Sequence, residues 1–389
     1  MSSLSKSVSV AAPHVSPRQR TVQGVRALIA AGHVQGGERL PAEDRLAAQF
    51  AVSRVTVRAA LAQLERDGLI KRKRNHGCVV VGDSPGGGEM MANTLVLLSN
   101  LRVATTPDIF SGYSDAVHSG AMSMAREQQL NLLTIHSQLD DEPAIAAMLR
   151  SRPRGVVVTL WGVHDPCENR LCRKLLDSGI PVVASGVGSH LTSFDQVASD
   201  HAGGGYALTR LLIERGRKRI LRLWDLPETE EHVMAHNLGY ERAMTEAGLP
   251  PLPATYIEGL PNRVPESQVT FQQRMRCFAG HLVEHLRGPH AVDAIMVGTD
   301  NEVFPVAAAC RLFGVADKIA ITGYDNQWRD AFERQWEPMI PLATVDKDNH
   351  RIGEELVTLL LDRIAGKLPA ERQIRLVPQR VVVCRSSSG

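Results

Sequence analysis

The apolar and polar positions of residues 40–81 predict two short amphipathic helices and a β-hairpin. The apolar positions of the first helix are Leu46, Ala47 and Phe50. Ser53 is a residue type that favours a helix start, and the apolar face of the helix that follows it consists of Val57, Ala60, Leu61 and Leu64. Two short strands then flank a tip at residues 75–77. Two helices joined by a turn and followed by a hairpin form a winged helix-turn-helix, a shape that enters the major groove of DNA.

The pattern changes beyond residue 81. Residues 82–92 contain three consecutive glycines and a proline, which predicts a flexible linker. After it, apolar runs alternate with helical stretches, as in an α/β fold with doubly wound, mostly parallel sheets. The apolar runs are residues 94–98, 131–135, 155–160, 181–184, 219–223, 294–297 and 318–322. This number of strands favours two lobes, with lobe 1 at about residues 93–197 and 327–345 and lobe 2 at about residues 198–326 and 346–385.

Charge separates the two parts of the chain. Residues 17–76 contain twelve Lys/Arg and five Asp/Glu, a net charge near +7, whereas the whole chain of 389 residues carries +2. A basic module on an acidic body is the distribution expected for contact with nucleic-acid phosphates.

The composition is that of an ordinary globular protein, with 43% hydrophobic and 22% charged residues. No run of 18 apolar residues is present, so no membrane span or membrane partner is predicted. Residues 1–16 lack the apolar core of a secretion signal and are expected to form a disordered tail, so we expect a cytoplasmic protein. The six cysteines lack metal-site spacing, and we expect no metal and no cofactor.

Three motifs of the first part occur in a characteristic order. They are Leu40-Pro41-Ala42-Glu43, Val52-Ser53-Arg54-Val55-Thr56-Val57-Arg58 and His76-Gly77. On these motifs, residues 18–81 resemble the winged helix-turn-helix of the GntR family of bacterial transcription regulators, and we place this domain at residues 17–81. Asp44 departs from the family pattern, because many members have an arginine directly after the opening glutamate, whereas this chain has Arg45 one position later.

The resemblance implies that Arg54, Thr56 and Arg58 contact bases and phosphates, and that His76 and Gly77 reach the minor groove. A bidentate pair between Arg54 and a guanine edge is chemically sensible. The residues expected to contact DNA are Arg45, Ser53, Arg54, Thr56, Arg58, Lys71, Arg72, Lys73, Arg74, His76 and Gly77.

Residues 93–385 resemble the effector domain of LacI-type regulators, which is related to periplasmic sugar-binding proteins. The motifs that carry this resemblance include Asp200-His201-Ala202-Gly203-Gly204, Val297-Gly298-Thr299-Asp300 and Ile321-Thr322-Gly323-Tyr324-Asp325-Asn326. The resemblance implies that Asp325 binds ligand hydroxyls and that Asp300 lies on a second ligand-facing loop. His236 stands where many members have an arginine, and Ser185 stands near a position where many have an aspartate.

Polar and aromatic residues follow the predicted strands, where ligands bind in two-lobed α/β proteins. Aromatic faces stack on sugar rings and carboxylates accept from hydroxyls, whereas core packing and helix capping are the alternative roles for the same residue types. The residues expected to line the cleft are Phe110, His136, Trp161, Ser185, Asp200, Trp224, His236, Asp300 and Asp325.

Together these features predict a ligand-responsive repressor, similar to arabinose-responsive repressors. It would bind near-palindromic double-stranded operator DNA as a homodimer and be released by a small molecule. A carbohydrate is the expected effector, and a purine or nucleoside is the alternative. A sugar-binding protein without a DNA role would not contain residues 18–81, and an enzyme is not expected because the GxSxG, HExxH and P-loop patterns are absent.

Overall fold

The computed structural model describes residues 16–30, 33–34, 37–67, 69–73, 77–80, 90–99, 111–136, 142–159, 166–186, 191, 193–257, 260 and 267–385. The chain divides into two compact units, Met1–Ala92 and Asn93–Gly389. Each unit has a hydrophobic core of its own, so each is described separately below.

The first unit consists of three helices and a hairpin. In chain order its elements are α1 (Pro17–Ala30), α2 (Glu43–Gln49), α3 (Arg54–Arg66), β1 (Ile70–Lys73) and β2 (Gly77–Val80). The apolar face of α3 predicted from the sequence is buried, and it packs with Val25 and Leu46 from the other two helices. The strands β1 and β2 pair antiparallel, with Ile70 opposite Val80. The predicted winged helix-turn-helix is therefore confirmed.

The predicted tail and linker lie largely outside the described residues, which omit 1–15 and 81–89. At the end of the linker, residues 90–92 have a helical backbone instead of the flexible conformation predicted for 82–92. The reason is local, because Met90, Met91 and Ala92 form helices readily and this end of the segment contains no glycine or proline.

The second unit is an alternating α/β structure. Its elements are β3 (Thr94–Ser99), α4 (Ser111–Glu127), β4 (Asn131–His136), α5 (Glu142–Arg150), β5 (Gly155–Thr159), α6 (Pro166–Asp177), β6 (Val182–Ser185), β7 (Asp195–Ser199), α7 (His201–Glu214), β8 (Ile220–Trp224), α8 (Glu231–Glu246), β9 (Thr255–Tyr256), α9 (Gln268–Leu282), β10 (Ala294–Val297), α10 (Asp300–Leu312), β11 (Ala320–Thr322), β12 (Ala343–Asp346), α11 (Asn349–Ile364), β13 (Ile374–Val377) and β14 (Arg380–Val383). A short 3₁₀ helix spans Phe332–Gln335.

The described strands of this unit form two six-stranded sheets. The first sheet has the order β13-β7-β6-β5-β3-β4 and is parallel throughout. The second sheet has the order β14-β12-β11-β10-β8-β9, and only the edge strand β14 runs antiparallel among its described pairs. The predicted doubly wound α/β class with two lobes is confirmed.

The predicted division of the lobes is wrong beyond residue 326. Residues 343–346 form β12, which pairs with β11 in the second sheet and not with lobe 1. In contrast, α11 and β13 belong to the first sheet, because Leu356 and Leu360 pack against Leu95 and Val157 and because β13 pairs with β7. The described chain therefore passes between the lobes after β7, after β12 and again between β13 and β14.

Periodicity identifies the apolar face of a helix but not the sheet that the face covers, which explains this error. In the described part of the chain, no helix combines the length and the apolar character that a membrane crossing requires.

Candidate nucleic-acid interface and ligand cleft

The start of α3 is held by a hydroxyl cap. The Ser53 Oγ accepts a hydrogen bond from the Thr56 backbone N–H at 3.2 Å, and the two hydroxyl oxygens lie 2.9 Å apart. This cap compensates an N–H group that the first turn of a helix otherwise leaves without a partner. Ser53 and Thr56, both expected to contact DNA, therefore have a defined local role, which is to fix the end of the helix that carries Arg54 and Arg58.

Arg54 and Arg58 lie on the solvent-facing side of α3, with 63% and 64% of their side chains exposed. Each arginine pairs with an acid in the first turn of α2. The Arg58 Nε donates to the Glu43 Oε2 at 2.7 Å, and the Arg54 Nε forms an ion pair with the Asp44 Oδ1. Arg45 of the same helix is also exposed. The structure thus places Asp44 directly against a predicted base-reading arginine, a contact that the sequence did not indicate.

The basic residues of the β1–β2 hairpin, the wing, are exposed where they are described. Lys71, Arg72 and Lys73 all project from β1 into solvent, and the Arg72 N–H donates to the Glu65 Oε1 of α3 at 3.0 Å. Gly77 has a φ of +71°, in the left-handed region that favours glycine, and it pairs with Lys73. Arg74 and His76 lie outside the described residues.

Of the predicted cleft residues, Phe110 and Trp161 lie outside the described residues. Most of the others lie at the carboxyl ends of strands or in the segments that follow them, whereas His236 lies within α8. His136 ends β4 and Ser185 ends β6 in lobe 1, whereas Trp224 ends β8 and Asp325 follows β11 in lobe 2. Asp200 precedes α7, and its Oδ1 accepts from the Gly203 N–H at 2.8 Å as the helix cap. The topology therefore supports a cleft at the strand ends.

Two of the predicted ligand contacts are instead core residues. Trp224 exposes 1% of its surface, and its Nε1 donates to the Asn237 Oδ1 at 3.0 Å, so no face is left for stacking on a ligand. Asp300 is also 1% exposed, and its Oδ2 accepts from the backbone N–H groups of Gln327 and Trp328 at 2.7 and 3.0 Å. Asp300 therefore fixes the loop after Asp325, and burial raises its pKa to about 7.

Three histidines lie beside Asp325. They are His201, His232 and His236, and together they are called the histidine cluster below. The His201 Nδ1 and the His236 Nε2 are 3.1 Å apart. The His236 ring stacks on Tyr324 with a centroid distance of 4.3 Å, and its Nδ1 has no hydrogen-bond partner within the described residues. Of these three, only His236 was among the expected cleft residues; His201 belongs to the Asp200-His201-Ala202-Gly203-Gly204 motif but was not assigned a ligand contact, and His232 follows no motif.

The histidine cluster is uncharged at neutral pH. Burial lowers the pKa of all three histidines, and the pKa values of His201 and His236 lie well below the ordinary histidine value. The neighbouring Lys347 ammonium contributes in the same direction, and it forms a 2.5 Å ion pair with the Asp325 Oδ1. The described residues contain no group of three His, Cys, Asp or Glu side chains placed to hold a metal ion. The cluster can therefore supply neutral donors and acceptors and an aromatic face.

Two family models match the chain. Residues 17–80 match the bacterial regulatory proteins of the gntR family, and residues 209–388 match the periplasmic binding protein-like domain. The chain joins a GntR-type DNA-binding domain to a periplasmic binding protein-like domain. With these two domains, the chain is a ligand-responsive DNA-binding regulator.

Several known proteins are similar to this chain in sequence or in fold. The HTH-type transcriptional repressor PurR of Edwardsiella ictaluri (strain 93-146) is 29% identical over 257 residues, which are 65% of this chain and 69% of that protein. Among solved structures, a regulatory protein of the LacI family from Chloroflexus aggregans matches 76% of this chain and 98% of its own, with a TM-score of 0.59 and 24% identity. The transcriptional regulator CelR–cellobiose complex matches 88% of this chain and 99% of its own, with a TM-score of 0.55 and 20% identity. These structures agree with the fold described above.

Proposed function

We propose that this GntR-type regulator is a cytoplasmic, homodimeric repressor that leaves a near-palindromic operator when a small uncharged carbohydrate enters its cleft. The observation that carries the proposal is the capped first turn of α3, which presents Arg54 and Arg58 to solvent beside a basic wing. The relative named PurR, 29% identical to this chain, is a transcriptional repressor, which supports repression as the effect of operator binding.

The exposed side of α3 has the chemistry of a base-reading surface. Val55 lies between the two arginines in sequence and exposes 74% of its surface, on the side opposite to Val57 and Leu61. Arginine amino groups suit the guanine edge, and an aliphatic side chain suits the thymine methyl group. Lys71 and Lys73 of the wing add positive charge for phosphates, so affinity should fall steeply with salt.

The charges beside the cleft favour an uncharged effector. Lys347 is already compensated by Asp325, and burial keeps the histidine cluster neutral. His236 is itself 3% exposed and stacked on Tyr324, so His201 and His232, which are only partly buried, are the imidazoles that can meet a ligand where a charged arginine would attract an anion. Sugar hydroxyls both donate and accept, which matches neutral imidazoles and the Asp325 carboxylate.

Hydrogen bonds connect the cluster to the segments that pass between the lobes. The Gln379 Nε2 donates to the Ser199 Oγ at 2.9 Å and lies 3.1 Å from the His201 Nδ1. His201 in turn contacts His236. A ligand that binds one lobe arrangement more tightly shifts the equilibrium between arrangements, and couplings of this kind are about 1–3 kcal/mol.

Selection of duplexes from a random library by the full chain tests the DNA half of the proposal. We expect a two-fold symmetric site with the half-sites about one helical turn apart. The selected duplex is then titrated in the presence of pentoses, hexoses, their phosphates and purine nucleosides, and thermal unfolding is followed in parallel. Release by a neutral sugar is expected. Failure to enrich any sequence would refute the DNA assignment, whereas release by sugar phosphates or nucleosides alone would refute the effector class.

A further inference from the structure

Both predicted base-reading arginines are engaged in the same way. The Nε of Arg58 contacts Glu43, and the Nε of Arg54 contacts Asp44, so one pair of adjacent acids on α2 serves two arginines one turn apart on α3. A guanidinium can meet a guanine edge side-on, with Nε as one donor, or end-on, with its two terminal amino groups. An Nε that already donates to a carboxylate leaves the end-on mode.

We propose that Asp44 is a positioning residue for base recognition: it holds Arg54 for end-on pairing with a guanine, as Glu43 holds Arg58. This inference rests on the proposed operator binding. It explains the departure from the family pattern, because the aspartate that replaces a DNA-contacting arginine acts on DNA through Arg54. The Arg54 guanidinium, already held by Asp44, loses less conformational entropy when it pairs with guanine than a mobile guanidinium would. The pairing with guanine is therefore stronger, and sequence specificity increases.

The negative charge of Asp44 has a second effect, which acts in the same direction. The first 76 residues carry a strong excess of positive charge, which attracts any duplex regardless of sequence. A carboxylate beside the reading arginines repels phosphates and lowers this general affinity, and only a base that accepts from Arg54 offsets the repulsion. Both effects raise the ratio of operator affinity to general DNA affinity.

The same domain offers a matched control pair. Arg26 and Asp67 form an ion pair at 2.8 Å, with 51% and 32% of their side chains exposed, but Asp67 caps the opposite end of α3. Exposed pairs of this kind contribute little to folding stability. Asp44→Asn and Asp67→Asn therefore change the net charge equally and each remove one exposed Arg–Asp pair, while only the first change touches a reading arginine.

The experiment uses the full chain and the duplex obtained by selection, with a scrambled duplex of equal composition as the reference. We expect Asp44→Asn to lower the ratio of the two affinities about fivefold to tenfold, the lower part of the range for one bidentate base contact, because the variant weakens the contact and does not remove it. Asp67→Asn should change this ratio less than twofold. Replacement of each half-site guanine by 7-deazaguanine, which lacks the N7 acceptor, should reduce the affinity of the wild type more than that of Asp44→Asn.

A double-mutant cycle separates positioning from a structural effect. Arg54→Ala should reduce the operator affinity less in the Asp44→Asn background than in the wild type, because the contact is already weakened there. If the effects of Arg54→Ala and Asp44→Asn on operator affinity were additive, the inference would be overturned. Equal affinity ratios for Asp44→Asn and Asp67→Asn would also overturn it. Neither result would contradict the proposed operator binding. If selection enriches no sequence, the proposed function fails and this inference fails with it. Thermal unfolding of each variant verifies that the domain remains folded.

Discussion

The buried carboxyl group of Asp300 should make stability depend on pH in a way that one substitution removes. The side chain is 1% exposed, and one of its oxygens accepts hydrogen bonds from the backbone N–H groups of Gln327 and Trp328. Burial disfavours the ionised form, so the pKa in the folded state is raised from 3.8 to about 7. Asp300→Asn keeps the shape of the side chain and abolishes its titration.

The direction of the pH dependence of stability follows from the number of protons bound in the folded and unfolded states. Between pH 4 and pH 7 the folded state retains the proton that the unfolded chain releases, so the contribution of Asp300 favours folding at low pH and is lost as the pH rises through about 7. With a pKa of about 7 in the folded state and 3.8 in the unfolded state, linkage gives a loss of about 2–3 kcal/mol between pH 5 and pH 8. We expect Asp300→Asn to lack this loss.

The assay is urea unfolding of the wild type and Asp300→Asn at pH 5 and pH 8, followed by tryptophan fluorescence. Trp328 is a direct reporter, because its backbone N–H is bonded to Asp300. Altered hydrogen bonding in Asp300→Asn changes the free energy of unfolding by the same amount at both pH values. The quantity compared is therefore the difference in this free energy between pH 5 and pH 8 within each protein. Equal differences in the two proteins would refute the raised pKa and the assignment of Asp300 as a buried acid.

Three further predictions concern the DNA interface, the cleft and the packing of lobe 1. Arg58→Ala should reduce operator affinity at least tenfold without changing the sugar-induced thermal shift, and undiminished affinity would contradict the role of α3. Asp325→Ala should abolish sugar-induced release but retain DNA binding, since it removes an acceptor and leaves Lys347 unpaired; a normal response would place the ligand elsewhere. Gly353→Ala should lower stability by about 1–3 kcal/mol in thermal or urea unfolding, because its Cβ would overlap the Val117 carbonyl oxygen. Gly280→Ala, in a helix with no atom near the added methyl group, is the matched control and should be neutral or stabilising by up to about 1 kcal/mol.

Much of the DNA-binding domain could be predicted because its signals are local. Ser53 caps α3 as expected, and the apolar positions from Val57 to Leu64 form the buried face. The partner of Asp44 could not be predicted, because the spacing of Asp44 and Arg54 in sequence does not determine the distance between two helices. Only the packing of α2 on α3 brings the carboxylate to the guanidinium.

The cleft was less predictable for the same reason. Alternation of strands and helices places His136, Ser185 and Trp224 at strand ends, as the structure has them. It does not distinguish a side chain that faces the cleft from one directed into the lobe. Trp224 and Asp300 therefore have the expected positions and yet are buried in the protein. His232 follows no recognised motif, and the motif that contains His201 does not show which way its side chain points. Only the tertiary structure brings both rings close to His236.

Seven strands of the second unit, the apolar face of α3 and the concentration of positive charge could be predicted from the sequence, since these properties depend on neighbouring residues; β7, β9, β12, β13 and β14 could not. The tertiary structure decided the rest. It assigned α11 and β13 to the first lobe and β12 to the second, brought Asp44 to Arg54, and buried three histidines so that they stay neutral beside Asp325. These properties depend on residues distant in sequence, because packing, ion pairing and the loss of hydration are set by what surrounds a side chain in space.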